Sequence, residues 1–170
     1  SYYPRKTGGP IALSGPISDQ GMGYTLYKTS FNTLFLRGTN TYGGGTVISN
    51  GYLSATCKEN LGTGPLVCAG GAFLFETPWD LTSAGVALTN APGQDVRLRI
   101  ADQNVTFQGE LGPFNANVYK SGLGTLTLTR TGRHYNLLVC SGAVNLDYTE
   151  HIEPKLPQAW YVNLYNNASL

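Results

Sequence analysis

The side chains able to do chemistry in this 170-residue chain are sparse: five aspartates (Asp19, Asp80, Asp95, Asp102, Asp147), His134 and His151, and Cys57, Cys68 and Cys140. Glycoside hydrolysis needs two carboxylates roughly 5 to 10 Å apart. Asp95 and Asp102 are close in sequence, but they flank an expected strand at Val96–Ile100, whose ends stand farther apart than that. Both read as turn-forming residues at strand ends. Nucleophilic catalysis lacks its serine elbow, since no Gly-x-Ser-x-Gly accompanies the histidines. Cys140 would need His134 or His151 folded beside it, and its strand phase points it outward. No Cys or His pair has metal-ligand spacing. Gly43-Gly-Gly45 is not followed by the lysine and helix of a phosphate cradle. The expectation is a non-catalytic chain with no cofactor and no metal.

Composition narrows the classes further. Charged residues are 12%, about half the usual share, against 22 glycines and 11 tyrosines, a balance that suits an all-β chain with many turns. A net charge of +1 gives no basic stripe for nucleic acid, and Arg97 and Arg99, on one face of a strand, read as a solvated pair. No run approaches the ~18 apolar residues of a membrane helix, and no signal layout opens the chain. Three cysteines leave at least one unpaired. Cys57 and Cys68 flank a turn at 60–65 and would meet if the chain reversed there; alternatively Cys68 is a small buried hydrophobe.

The elements are short and alternate with period two, which puts residues i, i+2 and i+4 on one face. Leu34, Leu36, Ile48 and Leu53 should point inward, as should Leu126, Leu128, Val139 and Val144. Further strands are legible at 11–14, 24–28, 65–69, 72–75, 86–89, 96–100, 104–108, 117–119 and 161–165, separated by Gly, Pro, Asn or Asp. Asn40, Asn50 and Asn90 sit near expected corners, suited to left-handed conformations or to bonding their own backbone. Residues 76–85 and 148–160 read as loops, the first places to look for a partner surface.

Residues 28–53 run Lys-Thr-Ser-Phe-Asn-Thr-Leu-Phe-Leu-Arg-Gly-Thr-Asn-Thr-Tyr-Gly-Gly-Gly-Thr-Val-Ile-Ser-Asn-Gly-Tyr-Leu, and a degraded copy returns from Lys120 to Val144. Thr125-Leu-Thr-Leu128 of the second falls on Thr33-Leu-Phe-Leu36 of the first. Self-similarity of this kind marks a repeat architecture. The phrase Lys-x-Gly-x-Gly-Thr-Leu-x-Leu-x-Gly-x-Asn-Thr-Tyr-x-Gly-Gly-Thr-x-Ile-x-x-Gly-x-Leu resembles the strand repeat of bacterial autotransporter passenger domains. The resemblance implies an all-β, right-handed single-stranded parallel β-helix, a solenoid with rungs of ~20 to 25 residues. On this reading residues 1–170 form one β-helix segment with two divergent copies, at about 24–54 and 116–146. The chain starts at Ser1 without methionine and stops at Leu170 inside a repeat phrase, so a longer parent protein is expected.

Departures from the phrase locate a candidate binding surface. Ser30 and Asn32 replace corner glycines, so the first copy's turn should differ in shape. Phe35 and Tyr52 stand at outward strand positions where the repeat prefers threonine. With Tyr27, Phe31, Trp79 and Trp160 they make up the aromatic candidates, and patches of this kind mark interaction sites. The resemblance implies a stalk or adhesion module displayed on the bacterial cell surface after export through the periplasm. Its expected partners are a host glycan, a matrix protein or another passenger chain, with no nucleic acid and no membrane insertion by this segment. The alternatives are a receptor-binding or oligomerisation segment of a secreted toxin, and a carbohydrate-active enzyme on a β-helix scaffold.

Overall fold

The computed structural model describes residues 8–130, 136–147, 161–165 and 168–169. Strands of three to five residues cannot bury an apolar face singly, so they stack in register, each satisfying the backbone donors of the next. A long sheet takes β1 (Ile11–Leu13), β3 (Thr33–Leu36), β5 (Tyr52–Ser54), β7 (Ala72–Phe75), β9 (Val96–Ile100), β11 (Val118–Ser121), β13 (Asn136–Val139) and β15 (Tyr161–Leu164), in that order. A first short sheet stacks β2 (Leu26–Lys28), β4 (Thr46–Ile48), β6 (Leu66–Cys68) and β8 (Leu88–Asn90). A second stacks β10 (Asn104–Phe107), β12 (Thr125–Leu128), β14 (Gly142–Leu146) and β16 (Ala168–Ser169). Every pairing is parallel, and each strand pairs with strands one turn before or after it, which makes the chain a parallel β-solenoid. Register offsets run from 18 residues, Thr125 with Ala143, to 26, Gly142 with Ala168.

Inward columns form the core. Leu34, Leu53, Phe73 and Leu98 align rung over rung and are buried. The eight aliphatic positions expected to point inward from the two copies are all buried. The strand expected at 86–89 instead forms at Leu88–Asn90, because Val86 packs against the core before the chain straightens.

The two phrases round different corners. The first carries the chain from β2 in the first short sheet to β3 in the long sheet; the second carries it from β11 in the long sheet to β12 in the second short sheet. At both, the lysine points inward. Lys28 is 4% exposed and donates from Nζ to the carbonyls of Ser30 and Asn50. Lys120 is fully buried, stacked between Leu98 and Val139, and donates to the carbonyls of Gly122, Gly124 and Ser141 at 2.8, 2.5 and 2.8 Å. The lysine of the phrase is thus an interior strut that ties one rung's turn to the next.

Other polar letters of the first phrase are interior too, while Thr29, Ser30, Thr39 and Thr41 stay exposed. Asn40 is not left-handed, as its place near a corner suggested. Its Oδ1 accepts from Ile17 N at 2.8 Å and its Nδ2 donates to Asn60 O at 2.5 Å, bridging successive rungs. Asn60 repeats the device, donating to Gly38 O at 3.0 Å while its Oδ1 accepts from the backbone of Thr56 and Cys57. Asn50 and Asn90 do bond local backbone, at Gly51 and at Ala91 and Gln94. Tyr42 is buried with its hydroxyl 2.6 Å from Thr46 Oγ1.

Two expectations are corrected. The chain does not reverse between Cys57 and Cys68; a 3-10 turn at Lys58–Leu61 sends Leu61 into the core, the strands continue parallel, and both thiols are free. Cys68 behaves as a small hydrophobe, with burial pushing its thiol up to about 11. Residues 76–85 are not a projecting loop but a wall of the solenoid. Leu81 is fully buried, Asp80 accepts from Gln108 N at 2.8 Å, and Thr82 Oγ1 accepts from Gly109 N at 2.9 Å, tying this rung to the next. The segment 148–160 lies outside the described residues.

Candidate functional site

The outer face of the long sheet collects the aromatic and cationic side chains. Alternation turns every second residue outward, and the register stacks these into two rows. One row runs Tyr52, Ala72, Arg97, Tyr119; its neighbour runs Phe35, Ser54, Leu74, Arg99, Ser121. Residues 22 to 47 positions apart in sequence thereby become neighbours. The Arg97 guanidinium carbon lies 5.2 Å from the centroid of the Tyr119 ring, and that of Arg99 lies 5.2 Å from the Tyr52 ring. Such a contact contributes about 0.5–1 kcal/mol at exposed sites.

The candidate aromatics divide among several places. Tyr52 and Phe31 line one groove on this face, with Tyr119 and Arg97. Phe35 points outward in the adjacent row, half covered by Arg37, whose guanidinium carbon is 5.0 Å from its ring centroid. Arg37 in turn donates to Ser54 O at 3.0 Å and bridges to Glu76 at 2.7 Å. Tyr27 is exposed on β2, in the first short sheet and on a different face. Trp79 packs edge-on against Phe73 at 6.0 Å and beside Phe75 at 6.4 Å, so its ring closes the margin of the core and does not join the outer face. Trp160 lies outside the described residues.

Sequence reasoning named Arg97 and Arg99 but read them as solvated, and it did not single out Tyr119. Only the register, with its 22-residue offset between β9 and β11, sets Arg97 beside Tyr119. The available signal was Arg-x-Arg on a strand one rung before Tyr-x-Ser.

The acidic residues do structural work. Asp95 Oδ1 accepts from Asn117 N and Nδ2 at 3.1 and 3.2 Å, joining two rungs, and Asp102 accepts from Gln103 at 2.7 Å. Backbone N–H groups of Gly43, Gly21 and Tyr24 hold the Asp19 carboxyl below its usual range. Burial pushes Asp80 up, but hydrogen bonds from Thr82, Gln108 and Ser83 outweigh it and leave its pKa lowered. Among the described residues no three His, Cys, Asp or Glu side chains gather where they could hold a metal. Also among them, no helix is long and apolar enough to cross a membrane. His134 and His151 lie outside the described residues. The chemistry this face offers is recognition: flat rings, two cations and exposed N–H donors.

No family model matches the chain, and no solved structure matches it. Among curated proteins it is similar to the Adhesin BmaC autotransporter of Brucella suis biovar 1 (strain 1330), at 27% identity over 140 residues that cover 75% of this chain. The chain spans about 4% of that protein's length. The match agrees with the resemblance carried by the Lys-to-Leu phrase. A parallel β-solenoid built from that phrase, and similar in sequence to an autotransporter adhesin, fits an autotransporter passenger domain.

Proposed function

We propose that the chain is a non-catalytic segment of a surface-displayed adhesion module, a rigid stalk whose outer face contacts a host surface or another passenger chain. The observation that carries this reading is the match to an autotransporter adhesin across three quarters of the chain. The fold supports it: a solenoid is stiff because each rung is bonded to both neighbours, and its exposed rows repeat in register. An extracellular place on the bacterial surface, reached through the periplasm, follows from the same match and belongs to the same proposal. Neither the toxin-segment nor the enzyme alternative gains a specific observation.

The test is a binding screen of the purified chain against host glycans and extracellular-matrix proteins, alongside the double variant Phe35→Thr/Tyr52→Thr. Both rings sit on outward positions where threonine suits a strand, so the variant should keep its circular dichroism spectrum and lose binding by about 10-fold or more, as loss of paired aromatic anchors does. Unchanged binding by a folded variant sinks the role of this face.

A further inference from the structure

Where Tyr52, Ala72, Arg97 and Tyr119 stack in one row, a shallow groove of about 320 Å³ opens on the long sheet. Two small residues make it. Ala72 supplies only a methyl between the rings, and Gly70, at φ 113°, brings bare backbone to the rim. Tyr52 and Tyr119 lie three strands apart, roughly 14 Å at the ordinary inter-strand spacing. Phe31 stands at one end, from the corner before β3.

The charge in this groove is uncompensated. Arg37 has Glu76, but among the described residues neither Arg97 nor Arg99 makes an ion pair, and the Arg97 side chain has no hydrogen-bond acceptor. Stacking occupies the face of a guanidinium and leaves its edge, with N–H groups in a fork that matches a carboxylate. The groove thus offers aromatic faces at its two ends and a charged fork between them. Its volume falls at the lower end of the range for small-ligand sites, roughly 300–1,000 Å³.

We propose that this groove binds a carboxylated pyranose within a glycan, the sugar's C–H face on Tyr52 or Tyr119 and its carboxylate on the Arg97 fork. The proposal rests on the adhesive reading above and names the ligand class of that same face. Neutral sugars would leave the fork unpaired, and simple acidic peptides would leave the rings unused. Uronates and sialates share the required chemistry.

The measurement is titration calorimetry with four probes: a hyaluronan hexasaccharide, sialyllactose, the carboxyl-reduced hexasaccharide and hexaglutamate. At least one of the first two should bind. Carboxyl reduction should abolish binding of the hexasaccharide if that is the one taken. Arg97→Gln should weaken binding about 10-fold or more, as removal of a charge-assisted pair does. Tyr119→Thr should weaken it several-fold while Tyr24→Thr, an exposed tyrosine outside the groove, leaves it unchanged. Which carboxylated sugar binds tells the uronate source from the sialate source. Equal binding of hexaglutamate, or binding indifferent to Arg97→Gln, overturns the proposal in favour of plain charge attraction. Binding of neither carboxylated sugar also overturns it. If the Phe35 and Tyr52 variant still loses its place on the glycan and matrix screen, that failure leaves the adhesive reading standing; loss of both results removes the two together.

Discussion

The lysine corners at Lys28 and Lys120 carry the same phrase and differ at two residues that decide how well each is closed. In the second corner Gly122 adopts φ +83°, and the carbonyls of Gly122, Gly124 and Ser141 all face the ammonium. Ser30 and Asn32 hold the equivalent places in the first corner, and neither has a positive φ. Asn32 O and Gly124 O accept the equivalent backbone bond, from Tyr52 N at 3.3 Å and Ala143 N at 3.4 Å, but only Gly124 O also takes a bond from the ammonium, so Lys28 keeps two acceptors. The corner with two is left slightly open, with Lys28 4% exposed against 0% for Lys120. The phrase tolerates the loss because the lysine still ties its own turn to the next rung.

Closing the corner from the next rung is the most demanding position. Gly142, at φ +70°, would place a Cβ 2.4 Å from Lys120 Nζ and 2.4 and 2.5 Å from the carbonyl oxygens of Gly122 and Gly124. Gly51, at φ +62°, would meet the Ser30 and Asn32 carbonyls at 2.5 Å and the Phe31 carbonyl carbon at 2.7 Å, ahead of any ammonium. Gly142→Ala should cost about 3 to 5 kcal/mol, from left-handed strain plus overpacking, and more than Gly51→Ala. Urea denaturation of both variants checks the order; equal or reversed costs would show that the ammonium is not part of the obstruction. A smaller effect follows from removing the struts. Lys120→Met takes the ammonium from three carbonyls, of which Gly122 O keeps Ser141 Oγ at 3.3 Å and Gly124 O keeps Ala143 N at 3.4 Å, and Lys28→Met takes it from two; each should cost about 1 to 2 kcal/mol, because a buried acceptor left without a donor is penalised while the ammonium's own desolvation cost is relieved. A stabilised Lys120→Met protein would mean that relief dominates and that the strut serves register alone.

The sequence made the solenoid legible because its apolar alternation and its glycines are local signals, and the Leu34–Leu36 and Leu126–Leu128 pairs landed inside as their period requires. The polar letters carried no such signal. Lysine, asparagine and tyrosine in a turn-rich phrase suggest solvent, whereas Lys120, Asn40 and Tyr42 are buried with partners one rung away. Those partners sit about twenty residues off, so no local window contains them. The same blindness hid part of the candidate face: Phe35 and Tyr52 could be placed outward from period alone, but the pairing of Arg97 with Tyr119 exists only once the register is known. Trp79 carried two readings, a ring covering an apolar edge from the loop 76–85 and a member of the candidate surface, and the stacked Phe73 and Phe75 decide for the first.

The mildest probe of the comparison is pH. Burial pushes Lys120 down to about 8, with the nearby Cys140 opposing the drop, whereas in the unfolded chain the group titrates near 10.5. Between those two values the unfolded chain holds a proton that the folded chain has released, so unfolding binds protons and stability rises with pH. Below about 8 both states are charged, and the folded state carries the full cost of burying the ammonium. The stability of the protein relative to Lys120→Met should therefore climb from about pH 8 to 10.5, with a slope approaching about 1.4 kcal/mol per pH at most. Subtracting the variant removes the tyrosine titrations that overlap this window. Lys28 is also lowered by desolvation, and the corresponding difference for Lys28→Met should climb less, since that ammonium is less completely buried. A slope of the opposite sign at Lys120 would mean that three carbonyls more than repay desolvation, and that the second corner is a cation cage as well as a turn.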